Sequence, residues 1–141
     1  MYKEKICTTI GAIGSFIAYI LGGWTTGLQT LIIFMMIDYL MGIANAAIFK
    51  NSPKTQNGKL NSAIGCKGLC RKGVILLFVL IGYRLDLVFG LDYIKNTIII
   101  GFLANELISI VENAGLMGID LPPIISNAIE MLPEKGNEES E

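Results

Sequence analysis

Apolar positions run unbroken over long stretches of this chain, and the charged positions between them are few. No charged side chain occurs from residue 6 to residue 37. A membrane-crossing helix needs roughly 20 apolar residues, so this run is too long for one span and short for two. Gly22-Gly23-Trp24-Thr25-Thr26-Gly27 interrupts it. Closely spaced glycines end helices, and tryptophan suits a membrane–water boundary. The pattern therefore predicts a first helix over 6–21, about 24 Å long at ~1.5 Å per residue, and a second over 28–49. A third is predicted over 73–89 and a fourth over 93–113, with a tight turn at Gly90-Leu91-Asp92 between them. On a helical wheel the fourth gathers Asn105, Glu106, Ser109, Glu112 and Asn113 on one face, with Ile98, Ile99, Leu103, Leu107, Ile110 and Val111 largely elsewhere. Such a helix either crosses the bilayer with its polar stripe turned to protein or water, or lies flat at the interface.

Residues 50–72 carry Lys50, Lys54, Lys59, Lys67, Arg71 and Lys72, and no acid occurs between Asp38 and Asp86. A short basic loop between apolar spans marks the cytoplasmic side. Its first half, Asn51-Ser52-Pro53-Lys54-Thr55-Gln56-Asn57-Gly58, is turn chemistry. Its second half restarts a helix at Asn61 or Ser62, and a basic helix resting on an anionic leaflet fits. Lys3 and Lys5 before an apolar stretch resemble a signal peptide. No small-x-small cleavage site follows, which favours a retained helix. Residues 115–141 read as a polar, acidic tail with Pro122, Pro123 and Pro133, solvated and without structure at its end. If four helices cross, both termini share the cytoplasm with the basic loop; if the fourth lies flat, the tail is outside.

Composition sharpens the class. AVILMFWYC residues make up 52% and charged residues 16%, where about 25% charged is usual. With a mean hydropathy of +0.58, a chain of 141 residues holds more apolar surface than one small domain can hide. The expected fold is all-α and integral to a membrane: three to four transmembrane helices within 1–114, a basic cytoplasmic loop after the second, and the tail 115–141. There is no histidine, so the commonest general base and metal ligand is missing. Cys7, Cys66 and Cys70 are an odd count without framework spacing and read as reduced thiols. No P-loop, dinucleotide fingerprint or nucleophile–base pair occurs. No catalytic, cofactor-binding or metal site is expected, and the chain does not read as an enzyme. Nucleic-acid binding by the basic loop is disfavoured by the apolar spans on both sides of it.

Charges inside the apolar spans are the sharp signals. Asp38 falls midway along the second helix, where ionised side chains are costly and turn to protein or water. Gly42, Asn45 and Ala46 share its face, as suits a close helix contact. The plainer reading is a fixed ion pair, for instance of Asp38 with Arg84. Arg84 and Asp86 point to roughly opposite sides of the third helix. At least one of them needs a partner elsewhere, unless both snorkel at the outer interface. Gly11, Gly14, Ser15 and Ala18 suggest a second close contact on the first helix.

Three ordered segments carry a family resemblance: Asp38-Tyr39-Leu40-Met41-Gly42 followed by Lys50, then Ser62-Ala63-Ile64-Gly65-Cys66-Lys67-Gly68-Leu69-Cys70-Arg71-Lys72, then Ala104-Asn105-Glu106-Leu107-Ile108-Ser109-Ile110-Val111-Glu112-Asn113-Ala114-Gly115, with Gly118-Ile119-Asp120-Leu121-Pro122 continuing the pattern. In order and spacing they resemble the toxin secretion/phage lysis holin family, over about residues 5–125. The resemblance implies a small multi-pass protein of the bacterial cytoplasmic membrane, encoded by a phage or prophage. Such proteins form homo-oligomers and then abruptly open lesions, which time lysis by releasing a cell-wall hydrolase or, in some hosts, a protein toxin. A functional link to an endolysin is implied, without required direct binding. The lesion-lining or helix-contact candidates are Asp38, Gly42, Asn45, Arg84, Asp86, Asn105, Glu106, Ser109, Glu112 and Asn113. Two readings from other classes stand beside it: a small ion channel or transporter using Asp38 or Glu106, and a membrane anchor for a partner protein.

Overall fold

The structure is a computed structural model that describes residues 1–49 and 62–130. Five α-helices follow in order: α1 (Tyr2–Ile20), α2 (Thr26–Ala44), α3 (Ser62–Phe89), α4 (Ile94–Leu116) and α5 (Pro123–Glu130). α2 runs on into a π-helical turn, Asn45–Phe49. The described residues contain no strand.

Glycine ends three of the helices by one device. After α1, the Gly23 amide donates to the Ala18 carbonyl at 2.8 Å and the Gly22 amide to the Tyr19 carbonyl at 3.1 Å, with Gly22 at φ 89°. This is the Schellman pattern, which needs a left-handed residue. It recurs at the end of α4, where Gly118 has φ 77° and the Ile119 amide reaches the Ala114 carbonyl at 3.0 Å. At Gly90 (φ 65°) the Leu91 amide donates to the Asp86 carbonyl at 2.9 Å. Thr25 then starts α2, its hydroxyl accepting from the Leu28 amide at 3.3 Å.

The core is a seam where α4 packs on both α2 and α3. Buried positions alternate at spacings of three and four on α2 (Leu28, Leu31, Met35 and Asp38) and on α3 (Ile75, Val79, Gly82 and Asp86). On α4 they are Lys95, Ile99, Glu106 and Ala114. That spacing keeps one stripe of each helix facing its neighbours. The seam is apolar toward the α1–α2 turn, where Leu21, Leu28, Leu31, Met35, Ile75, Val79 and Ile99 form one cluster. Toward the other end it is polar, and Asp86 and Lys95 close the seam at the α3–α4 turn. The α3–α4 approach is close because Gly82 has no side chain. A Cβ there would lie 2.7 Å from Ile98 Cδ1 and 3.1 Å from Lys95 Cα.

The outer surface inverts that of a water-soluble domain. Ile6, Ile10, Phe16, Met36, Leu40, Leu77, Val88 and Ile100 are exposed, whereas Asp38, Asn45, Asp86, Lys95 and Glu106 are buried. Soluble monomers rarely show such continuous apolar surface. Two helical runs, Thr26–Phe49 and Ile94–Leu116, are long and apolar enough to cross a membrane. α1 and α3 carry more charge, with Lys3, Glu4 and Lys5 on the first and Lys67, Arg71, Lys72, Arg84 and Asp86 on the second.

Three expectations change. The second half of the basic segment is not a separate surface helix: α3 is continuous from Ser62 to Phe89. No proline interrupts it, and its early glycines are covered by Tyr39. The Tyr39 hydroxyl donates to the Gly65 carbonyl at 3.3 Å, and the ring lies 3.7 Å from where a Gly68 Cβ would stand. The first helix begins at Tyr2 rather than at residue 6 and buries none of its residues; Gly11 and Gly14 approach nothing within 4 Å. The tail region contains α5, opened by Pro123 in the first helical position, where proline's fixed φ is favourable. The first half of the basic loop and residues 131–141 lie outside the described residues.

Candidate functional site

The polar half of the seam holds one connected cluster drawn from α2, α3 and α4. Lys72 Nζ lies 2.7 Å from Asp38 Oδ2 and 2.7 Å from Glu106 Oε2. The three side chains are 14%, 8% and 4% exposed. Asn113 Nδ2 donates to Asp38 Oδ1 at 2.9 Å. Asn45 Nδ2 donates to Asn113 Oδ1 at 3.1 Å and to the Asn113 carbonyl at 3.2 Å. The chain of donors fixes the amides. A carboxylate only accepts, so Asn113 must turn its NH₂ toward Asp38 and its oxygen toward Asn45. Asn45 Oδ1 is then left buried without a hydrogen-bond partner among the described residues. The π turn starts at this residue, and both Asn45 and Ala46 are buried there.

The level of the cluster matters. Asp38 falls midway along the run Thr26–Phe49, and Glu106 midway along Ile94–Leu116. Each run thus carries a carboxylate near its centre, and one ammonium from α3 serves both. Burying a charge is tolerable only when it is paired and hydrogen-bonded. Removing one partner of such a pair typically costs about 3–5 kcal/mol.

A second polar arrangement closes the α3–α4 turn. Asp86 Oδ1 accepts from the Ile94 amide at 2.9 Å and Oδ2 from the Lys95 amide at 3.0 Å. A carboxylate at a helix N-terminus satisfies open amides and complements the helix dipole. Lys95 Nζ stands 5.5 Å from the centre of the Tyr83 ring, a cation–π contact.

The structure sorts the residues singled out from sequence. Asp38, Asn45, Glu106 and Asn113 meet in the cluster. Ser109 is half-buried on the same helix face, while Asn105 and Glu112 are exposed. The polar stripe of α4 therefore divides: Asn105 precedes the buried Glu106, and Glu112 the half-buried Asn113, by one residue, about 100° round the helix. A Cβ at the half-buried Gly42 would meet nothing within 4 Å, whereas Asn45 and Ala46 on the same face are buried and Asn45 reaches α4. The close glycines are Gly82 and Gly22, the latter against the Tyr83 ring. Asp38 pairs with Lys72 rather than Arg84. Arg84 is exposed and makes no ion pair among the described residues. Asp86 is buried and caps α4. Of the basic residues, Lys67 and Arg71 are exposed, Lys72 is drawn inside, and Lys50, Lys54 and Lys59 lie outside the described residues. The cysteines are free and exposed.

A model of the bacteriophage holin family matches residues 15–134. The chain belongs to that family, which is not a family of enzymes. An uncharacterized protein of Clostridium perfringens is 31% identical over 136 residues, spanning 94% of this chain and 95% of the relative. An uncharacterized protein of Listeria monocytogenes is 32% identical, over 91% of this chain and 86% of the relative. A protein of Bacillus phage phi105 named "Probable holin" is 24% identical, over 81% of this chain and 79% of the relative. No solved structure matches.

Proposed function

We propose that this protein is a holin of the bacterial cytoplasmic membrane, encoded by a phage or prophage. It crosses the membrane several times, accumulates as oligomers, and then opens lesions that release a cell-wall hydrolase (or, in some hosts, a protein toxin). The carrying observation is the buried cluster of Asp38, Lys72, Glu106, Asn113 and Asn45 inside a shell of exposed apolar side chains. In lipid, ionised groups must face one another or water. The cluster supplies the first arrangement, and a water-lined lesion supplies the second. These are the two states a switch requires.

Family membership and the phage relative support the same reading. So does Arg71, which is exposed beside Lys72, only about 1.5 Å further along the α3 axis. With α2 and α4 across the bilayer, that guanidinium stands near mid-depth on the outside of the single chain. Acyl tails are a poor neighbour for it, whereas a second copy or water is a good one. Loss of the membrane potential favours the rearrangement, since a charge crossing the whole field changes by about 2.3 kcal/mol per 100 mV. The hydrolase needs only the opening and no direct contact.

The test is induced expression in bacteria. The proposal expects a delay, then sudden loss of viability with release of a large cytoplasmic enzyme. A graded leak selective for one small solute points to a channel, and harmless accumulation to an anchor; either overturns the proposal.

A further inference from the structure

A cavity of about 460 Å³ opens between the end of α1 and the end of α3, lined by Tyr19, Ile20, Leu80, Tyr83, Arg84 and Leu87. Its walls are mainly apolar side chains and tyrosine rings, and its charged member is Arg84. No acid neutralises that guanidinium among the described residues, because Asp86, two positions on, is committed to the Ile94 and Lys95 amides. Lys95 adds a second cation on the Tyr83 ring. Gly22, pressed against the same ring, brings the α1–α2 turn beside the cavity, and Trp24 of that turn is exposed.

Depth decides what such a site meets. Arg84 lies twelve residues beyond Lys72 on one continuous helix, about 18 Å along the axis at ~1.5 Å per residue. Half of a ~30 Å hydrocarbon core is ~15 Å. With the ionic cluster near mid-depth, Arg84 stands at the level of lipid phosphates, thirteen residues beyond Arg71 on the same helix. Tyrosine and tryptophan favour that same level.

We infer that this cavity binds one anionic phospholipid of the outer leaflet, with its phosphodiester on the Arg84 guanidinium and an acyl chain along Ile20, Leu80 and Leu87. The guanidinium fork matches a phosphate with two parallel hydrogen bonds. A guanidinium with no acid beside it favours a headgroup without a positive charge of its own. The bound lipid would fill the gap between α1 and α3 on a helix that otherwise buries nothing in the single chain. The inference rests on the chain lying in a membrane, not on its opening lesions.

The test is native mass spectrometry of the full-length protein released from micelles doped with phosphatidylglycerol or phosphatidylcholine. Wild type is expected to retain one phosphatidylglycerol, and Arg84→Gln and Arg84→Glu to lose it by about tenfold, as for one charge-assisted pair. Arg71→Gln, which removes an exposed cation near mid-depth, is expected to retain it. Equal retention by wild type and Arg84→Gln overturns the inference. So does equal retention of phosphatidylcholine, a parallel loss in Arg71→Gln, or displacement of the lipid by inorganic phosphate, which would make this a site for the free anion.

Discussion

The Lys72 ammonium and the Glu106 carboxylate stand 2.7 Å apart, joining α3 to α4 with side chains only 14% and 4% exposed. The same nitrogen reaches Asp38 of α2 at 2.7 Å, so one cation ties three helices. The closed bundle therefore depends on Lys72 more than on either acid alone.

Lys72→Met should shorten or abolish the delay before killing by at least several-fold, because it leaves Glu106 without its ammonium at a cost of about 3–5 kcal/mol. The combined variant Asp38→Asn, Lys72→Met, Glu106→Gln should recover thermal stability in detergent toward wild type, since neutral groups need no partner charge. Melting by circular dichroism checks this. A triple variant less stable than Lys72→Met alone would contradict it.

Asp38→Asn and Glu106→Gln should each shift the onset of killing several-fold while the protein still enters the membrane fraction. Onset in induced cultures, read beside fractionation, is the check. Unaltered timing in both would separate these carboxylates from the opening event.

Gly82→Val should destabilise the bundle by roughly 1–3 kcal/mol, as overpacking does. The added atoms meet Ile98 and the Lys95 backbone. Gly42→Ala should be neutral or stabilising by up to ~1 kcal/mol, from helix propensity in open space. Detergent melting of the two variants distinguishes them, and equal losses would place the close contact wrongly.

Asp86→Ala should cost about 0.5–2 kcal/mol by removing the cap of α4. Asp86→Asn, which keeps an acceptor oxygen, should recover part of it. Loss confined to Asp86→Asn would argue against capping as the cause.

Much of this was legible in the sequence for a definite reason. Asp38 and Glu106 stand out because a charge inside an apolar run has few explanations, and the glycine clusters at 22–23 and at 90 mark real turns. Lys72 was hidden because it belongs to a basic run with Lys67 and Arg71, and counting charge cannot say which cation turns inward. The signal lay in the register. Once α3 is continuous, Lys72 precedes Ile75, Val79, Gly82 and Asp86 at spacings of three, four, three and four, so it falls on the buried stripe. Breaking the helix at residue 73 concealed that alignment. Gly42 shows the opposite: small residues permit a close approach but do not cause one. Which neighbour comes near is set by tertiary packing, and that packing uses Gly82.

The central claim is that the polar seam is shut before the membrane opens and wet afterwards. Ser109→Cys, in a variant whose Cys7, Cys66 and Cys70 are serine, places one thiol on that half-buried face of α4. Labelling with a membrane-impermeant thiol reagent, sampled before and after the onset of killing, should show a protected thiol that abruptly becomes reactive. A thiol that stays protected through the lethal phase, or reacts equally from the start, would contradict the account.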